Sequence, residues 1–504
     1  MKKPWSITTT TRSPYRLRNQ LKVLKDNFLG QEWDKQAQVK FQTLLIQHRL
    51  YGHNEEQGFS TQFLNGLTEP QKNIFTDFTH ALTSEEAKEI FDTKDYKDPP
   101  MRGRQSFNPF RKFGFVGFLD KKMHITPLGE QFLNSDYDLA EIFFRIFIKW
   151  QIPNLDSKDY KTDDGYNVKP FIAVLHLINR VNQMSIKLGE KAKGISKHEF
   201  SLYGPSLVDY KNINKHADDI ISLRKKQSGK NKKEQKEIFE KMKINFAKKF
   251  LSTKDNDKIK NFLKTLKDYG DNAIRYFRLT RYIYIRGGGF YVDLEQRRNI
   301  EIKELLKFDN GSSGDFKTKE EYLNYMSDIK QPKLPWETKE KYLEILNELI
   351  KDIRSYEKVV EVKNKKIVDI KRLNEDKLKL LIKELREYRR ELQETKNHKD
   401  SQGLDEVKNY IEKLENIYNE DNRPVLLEKY ISLALHALND ALKIQPNYPV
   451  GDDNEPTFTA PAGVPDIECY YEKFNAICEV TMLTSRDQWY NEGQPVMRHL
   501  RNFE

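Results

Sequence analysis

Close to the carboxyl end the chain reads Gly463, Val464, Pro465, Asp466, Ile467, Glu468, Cys469, Tyr470, Tyr471, a polar stretch Glu472 to Asn475, then Ala476, Ile477, Cys478, Glu479, Val480, Thr481, Met482. Two runs of alternating and β-branched residues around a polar turn spell a hairpin. With the turn centred near Lys473, Asp466 falls opposite Glu479 or one residue off, and both carboxylates project from the same end of a small sheet. They repel each other unless a cation lies between them. Mg²⁺ takes oxygen ligands and keeps several waters, so Asp466, Glu479 and the backbone carbonyl of Val480 make a sufficient protein share. Such an ion polarises a phosphoryl oxygen, activates water and neutralises a leaving alkoxide, which is the chemistry of phosphodiester hydrolysis. The apolar neighbours Ile477, Cys478, Val480 and Met482 imply a buried strand, where an unpaired carboxylate is costly and an ion-bound one is satisfied.

The block from Pro465 to His499, together with Trp5 to Leu17, Ile195 to Phe200 and Gly288 to Arg298, resembles the PD-(D/E)xK nucleases. More narrowly it resembles the AlwI-like type IIS restriction endonucleases, a group that includes strand-specific nicking enzymes. The resemblance implies a multidomain α+β protein with winged-helix-type recognition domains, a helical linker and a C-terminal PD-(D/E)xK α/β nuclease core. Carried over by position, Asp466 and Glu479 hold the metal, and Glu428, on a helix from Leu426 to Leu438, orients water at it. The usual lysine is missing, because Thr481 stands two residues after Glu479. Gln488, Glu492 and His499 follow and are placed to supply the missing group. On one continuous helix they would share a face, but Pro495 suits a helix's first turn better than its middle, which leaves Glu492 just before the helix and His499 on it.

The elements that must position this site fall into four regions. Residues 1–164 form a first recognition subdomain. There Arg102 and Arg104 precede an apolar segment (Phe113 to Leu119), a Lys-rich turn (Lys121, Lys122) and a Thr126-Pro127 helix start, the order of a winged helix-turn-helix. Residues 165–300 form a second: Ser196 caps a helix beginning at Lys197, with Glu199 at its third position, and Arg281 to Ile285, the glycines 287–289 and Phe290 to Leu294 read as strand, tight wing and strand. No Lys-Ser/Thr follows those glycines, so they are not a phosphate loop. Residues 301–402 are a helical spacer with an apolar seam at Leu378, Leu381, Leu385, Tyr388 and Leu392. Residues 403–504 carry the catalytic domain, expected to be incomplete at its carboxyl end.

The balance of 87 Lys+Arg against 76 Asp+Glu gives a net charge of +11 over 504 residues. Between Arg224 and Lys264 there are 15 Lys+Arg and 5 Asp+Glu, a net of +10, so almost all the excess lies in one stretch. That stretch is either a solvated helix face or a surface that tracks phosphates. Base reading falls to Arg12, Arg16, Arg102, Arg104, Arg281 and Arg286, since arginine grips guanine bidentately, with Lys197 beside them. Hydrophobic residues at 37% and aromatics at 12% argue against disorder. No apolar stretch is long enough for a membrane span, and the chain reads as cytoplasmic. The two cysteines, Cys469 and Cys478, exclude a disulfide framework and a four-cysteine zinc site; they are expected opposite each other on the hairpin as reduced thiols. The expected partner is double-stranded DNA. One active site cuts one strand, so double-strand cleavage needs a transient dimer or a second catalytic subunit. The alternatives are a nicking enzyme, a catalytically impaired sequence-specific DNA-binding protein, and a helical scaffold without salt-sensitive DNA binding.

Overall fold

The computed structural model describes residues 3–8, 14–54, 58–134, 138–157, 160–286, 290–420, 423–450, 455–456, 459–461, 464–483, 488, 493, 496–497, 499–501 and 503. These residues are mostly helical, with four small antiparallel sheets of two or three strands. The chain forms two compact units: Met1–Leu21, Phe28–Glu32 and Gln105–Pro335 make one, and Lys22–Asn27, Trp33–Arg104 and Trp336–Glu504 make the other.

The first unit is built around aromatic side chains. Trp5 is fully buried, with its ring 6.0 Å from Trp150 and 5.9 Å from Phe277, and Phe277 lies 5.1 Å from Phe147 and 5.0 Å from Phe171. The Trp5 indole donates to the Leu207 carbonyl at 3.1 Å, which satisfies its one polar group.

Helix α1 (Pro99–Lys112) leads into strands β1 (Val116–Leu119) and β2 (Lys122–Ile125) and then helix α2 (Pro127–Leu133). Leu119 pairs with Lys122 across a two-residue turn in which Asp120 and Lys121 both take positive φ, 49° and 65°. That conformation matches the twist of the flanking strands. Thr126 caps α2 by accepting the Gly129 N–H at 3.1 Å, and Pro127 fills the first turn, where its missing N–H costs nothing.

Helix α3 (Pro170–Lys187), strand β3 (Ile195–Ser196), helices α4 (Lys197–Tyr203), α5 (Ile213–Gln227), α6 (Lys232–Leu251) and α7 (Asn256–Leu279), and strands β4 (Ile283–Arg286) and β5 (Tyr291–Leu294) follow. The sheet order is β3-β5-β4. Ser196 and Glu199 cap α4 reciprocally, at 3.1 and 2.6 Å, as their spacing predicts. Gly194 takes φ +71°, and a Cβ there would lie 2.2 Å from the Val292 carbonyl oxygen, so only glycine lets β3 reach β5. Its N–H is held by Asn182 (2.8 Å) and its carbonyl by Arg224 (2.7 Å), and Arg224 also grips Glu199. The glycines 287–289 of the expected wing lie outside the described residues.

In the second unit, helices α8 (Lys339–Val360) and α9 (Glu375–Ser401) pack through Ile345, Leu346, Leu349 and Ile353 on one and Leu378, Ile382, Leu385 and Leu392 on the other. Helix α10 (Arg423–Leu438) then precedes strands β6 (Lys443–Pro446), β7 (Ile467–Tyr470) and β8 (Asn475–Cys478), ordered β8-β7-β6. Ile431 and Leu435 of α10 cover the sheet face made by Ile444, Ile467, Cys469, Cys478 and Val480. Among the described residues the strand expected to be buried is an edge strand instead: β8 has a neighbour on one side only, and Ile477, Cys478, Val480 and Met482 are all half-buried.

Candidate active site

The β7–β8 register pairs Asn475 with Tyr470 and Cys478 with Ile467, and the turn closes through the Tyr471 N–H and the Phe474 carbonyl at 2.9 Å. One rung further on, Asp466 is opposite Glu479. Neighbouring positions on a strand face opposite ways, so with Ile467 and Cys469 packed toward α10 both carboxylates belong to the other face. The same register corrects the cysteine expectation. Cys469 is opposite Ala476 and Cys478 opposite Ile467, so the thiols are diagonal neighbours, too far apart for comfortable bridging. Both are free. The Cys478 thiol is pushed up to about 11, first by burial and then by the negative charge of Cys469, Asp466 and Glu479 around it.

Each carboxylate is held by a neighbouring group. Asp466 Oδ2 accepts the Val480 N–H at 2.6 Å, tying the start of β7 to the end of β8. Glu479 Oε1 lies 2.6 Å from Nδ1 of His499. A neutral imidazole that donates from Nδ1 carries its lone pair on Nε2. That Nε2 is buried without a hydrogen-bond partner among the described residues. His499 sits among helical residues at 496–497, 499–501 and 503, and Phe503 meets Tyr470 of β7 at 5.6 Å.

Glu428 is buried on α10 and accepts the Ala460 N–H at 2.9 Å. Among the described residues no three His, Cys, Asp or Glu side chains converge as a metal-ligand cluster. An all-oxygen pair suits Mg²⁺, which fills its remaining positions with water. The hydroxyl of Thr481, in the place of the usual lysine, accepts the Leu483 N–H at 3.0 Å. Gln488 is exposed, and Glu492 lies outside the described residues. Sequence reading missed the far side of Asp466. Asn447, one residue past β6, donates its backbone N–H to the Asp466 carbonyl and its side-chain amide to the Pro465 carbonyl and Glu468 Oε1, all at 2.9 Å.

The arginines assigned to DNA are variously engaged. Arg102 lies over the Tyr96 ring at 4.9 Å, and Arg104 binds Asp98 at 2.7 Å and Gln38 at 3.2 Å. Arg281 is 3.8 Å from Asp138, and Arg286 donates to the buried Asp293 at 2.9 Å and to the Ala192 carbonyl at 3.2 Å. Arg16 and Lys197 are half-buried, and Arg12 lies outside the described residues.

A carboxylate pair at the end of a small sheet, in a chain rich in basic helix surface, fits a nuclease of the restriction class. The chain belongs to the AlwI restriction endonuclease family, whose match runs over residues 111–504. It is thereby a site-specific DNA endonuclease by family. Among solved structures, the BpuJ1 endonuclease binding domain in complex with pyrene- and phenanthrene-modified DNA is similar over 65% of this chain and 98% of its own, at 13% identity and a TM-score of 0.36. No curated protein sequence matches. No helix among the described residues is long and apolar enough to cross a membrane.

Proposed function

We propose that this chain is a Mg²⁺-dependent endonuclease of type IIS. It reads a short asymmetric duplex sequence with winged-helix-type modules in residues 1–164 and 165–300, and cuts at a fixed offset with a PD-(D/E)xK core in residues 403–504. The observation that carries the reading is the register that sets Asp466 opposite Glu479, with His499 attached to the second carboxylate. The helix–sheet order α10-β6-β7-β8, with helical residues following, supports the core assignment. The helix–hairpin–helix order of α1 to α2, and the three-stranded β3-β5-β4 sheet beside α4 and α7, support the recognition modules.

When bound, the ion supplies charge stabilisation at the phosphoryl group and the leaving oxygen. Asp466 and Glu479 hold it. The Val480 N–H fixes the Asp466 rotamer. His499 Nε2 accepts a proton from the attacking water, the task the absent lysine leaves open. Gln488 and Glu492 are the other candidates for that role. Reading and cutting in separate regions make the cleaved bases indifferent, and a second catalytic copy or subunit is needed for the other strand.

The test uses supercoiled plasmid and Mg²⁺. The wild-type protein is expected to give nicked or linear product, whereas Asp466→Ala and Glu479→Ala abolish cleavage and keep specific binding within a few-fold, because the ligands stand apart from the reading surfaces. Undiminished cutting by either variant rejects the assignment.

A further inference from the structure

The register on the other side of β7 extends just as far as that toward β8. Pro446 pairs with Ile467, so Asn447 is opposite Asp466, and its N–H donates to the Asp466 carbonyl at 2.9 Å. Asp466 therefore sits at the centre of a row, with Asn447 on one flank and Glu479 on the other. Side chains directly opposite in antiparallel strands share a face, with Cβ atoms about 5 Å apart. The Asn447 amide has both hydrogens committed, one to the Pro465 carbonyl and one to Glu468 Oε1. Glu468 is itself held by the Tyr470 hydroxyl at 2.5 Å through its other oxygen. Tyr470, Glu468 and Asn447 thus form a chain of hydrogen bonds that ends on the two carbonyls at Pro465 and Asp466, just where β7 begins. The side-chain half of this clamp, on the Pro465 carbonyl, is what a substitution of Asn447 removes, while the backbone N–H on the Asp466 carbonyl stays.

We propose that Asn447 is the positioning residue of Asp466: by clamping the Pro465 and Asp466 carbonyls it fixes the ligand's backbone at the distance from Glu479 that one cation can bridge. The inference rests on the reading that Asp466 and Glu479 hold the ion. Groups that orient a ligand commonly change metal affinity 10- to 100-fold when removed. Glu468, with one donor on each oxygen, serves as the anchor of the clamp and not as a ligand.

The experiment measures Mn²⁺ affinity of the full chain without DNA, by electron paramagnetic resonance, alongside the Mg²⁺ concentration for half-maximal cleavage and the melting temperature. Asn447→Ala is expected to weaken Mn²⁺ about 10-fold and to raise the Mg²⁺ requirement in step, with the rate at saturating Mg²⁺ largely restored. Asn447→Asp adds a negative charge yet loses both amide donors, and it is expected to bind Mn²⁺ more weakly too. Glu468→Gln keeps an acceptor for Asn447 and stays within about threefold of wild type, whereas Glu468→Ala follows Asn447→Ala. Wild-type affinity in Asn447→Ala, or tighter binding in Asn447→Asp, overturns the proposal. Should Asn447→Ala fail to fold by circular dichroism, the Glu468 pair decides: equal affinity in Glu468→Gln and Glu468→Ala overturns it. Retained Mn²⁺ binding in Asp466→Ala would instead reject the carboxylate pair itself.

Discussion

His499 meets Glu479 through Nδ1 at 2.6 Å and buries an Nε2 that has no hydrogen-bond partner among the described residues, which suits the proposed role of proton acceptor. His499→Ala is expected to lower single-turnover cleavage about 10²- to 10⁴-fold, the usual share of general-base catalysis, with DNA affinity within a few-fold. A cleavage rate equal to wild type would leave the histidine a structural role only. Asp466 and Glu479 were legible because a hairpin counts in twos about its turn, and the two-residue turn Glu472–Lys473 puts them on one rung. Asn447 was not, because it precedes Asp466 by 19 residues and its strand ends in Pro446, which reads against a strand. The proline is tolerated because β6 is an edge strand among the described residues and its missing N–H breaks no ladder.

Helices α8 and α9 show where periodicity stops being informative. The apolar seam read as Leu378, Leu381, Leu385, Tyr388 and Leu392, but the buried positions on α9 are Leu378, Ile382, Leu385, Arg389 and Leu392. Arg389 goes inward because its guanidinium reaches Asp352 of α8 at 3.4 Å, a pairing no hydropathy count contains. Tyr388 stays half-buried and donates to Glu357 at 3.0 Å. Glu357 is fully buried: burial pushes its carboxyl up, but the Lys365 N–H, Arg354 and Tyr388 outweigh this and hold it below the ordinary glutamate value of 4.5. A depressed carboxylate contributes stability that is complete above 4.5 and disappears as pH falls through the lower folded value. Glu357→Gln should therefore lower the melting temperature at pH 7 and narrow the gap from wild type as the pH drops below 4. A gap that stays constant from pH 7 to pH 3 would contradict this account. Both capped elements, α2 behind Thr126 and α4 behind Ser196, were readable in advance, since a cap needs only local spacing.

Across the molecule the charge excess is unevenly available. In the basic stretch Lys230, Lys243 and Lys258 face carboxylates three or four residues away, at 3.9, 2.7 and 3.5 Å. Lys260, Lys264 and Lys267 lie exposed on one stripe of α7, with no carboxylate partner among the described residues. Such lysines bind phosphates without reading bases and release counterions as they do so. Replacing all three by Gln should reduce the slope of log K against log [salt] by about 2 to 3, at roughly 0.9 per phosphate contact. Specific and random duplexes should be affected equally. A slope unchanged by the triple substitution would move the phosphate surface elsewhere. Composition located this stretch but could not say which lysines were already neutralised, because that depends on helix phase. Trp5 sets a practical boundary at the other end of the chain. Its indole fills the middle of an aromatic core, and losing such a side chain costs about 3–5 kcal/mol. That is comparable with the net stability of a whole domain. Expression designs that trim the first handful of amino acids would unseat the aromatic core of the unit that contains Trp5.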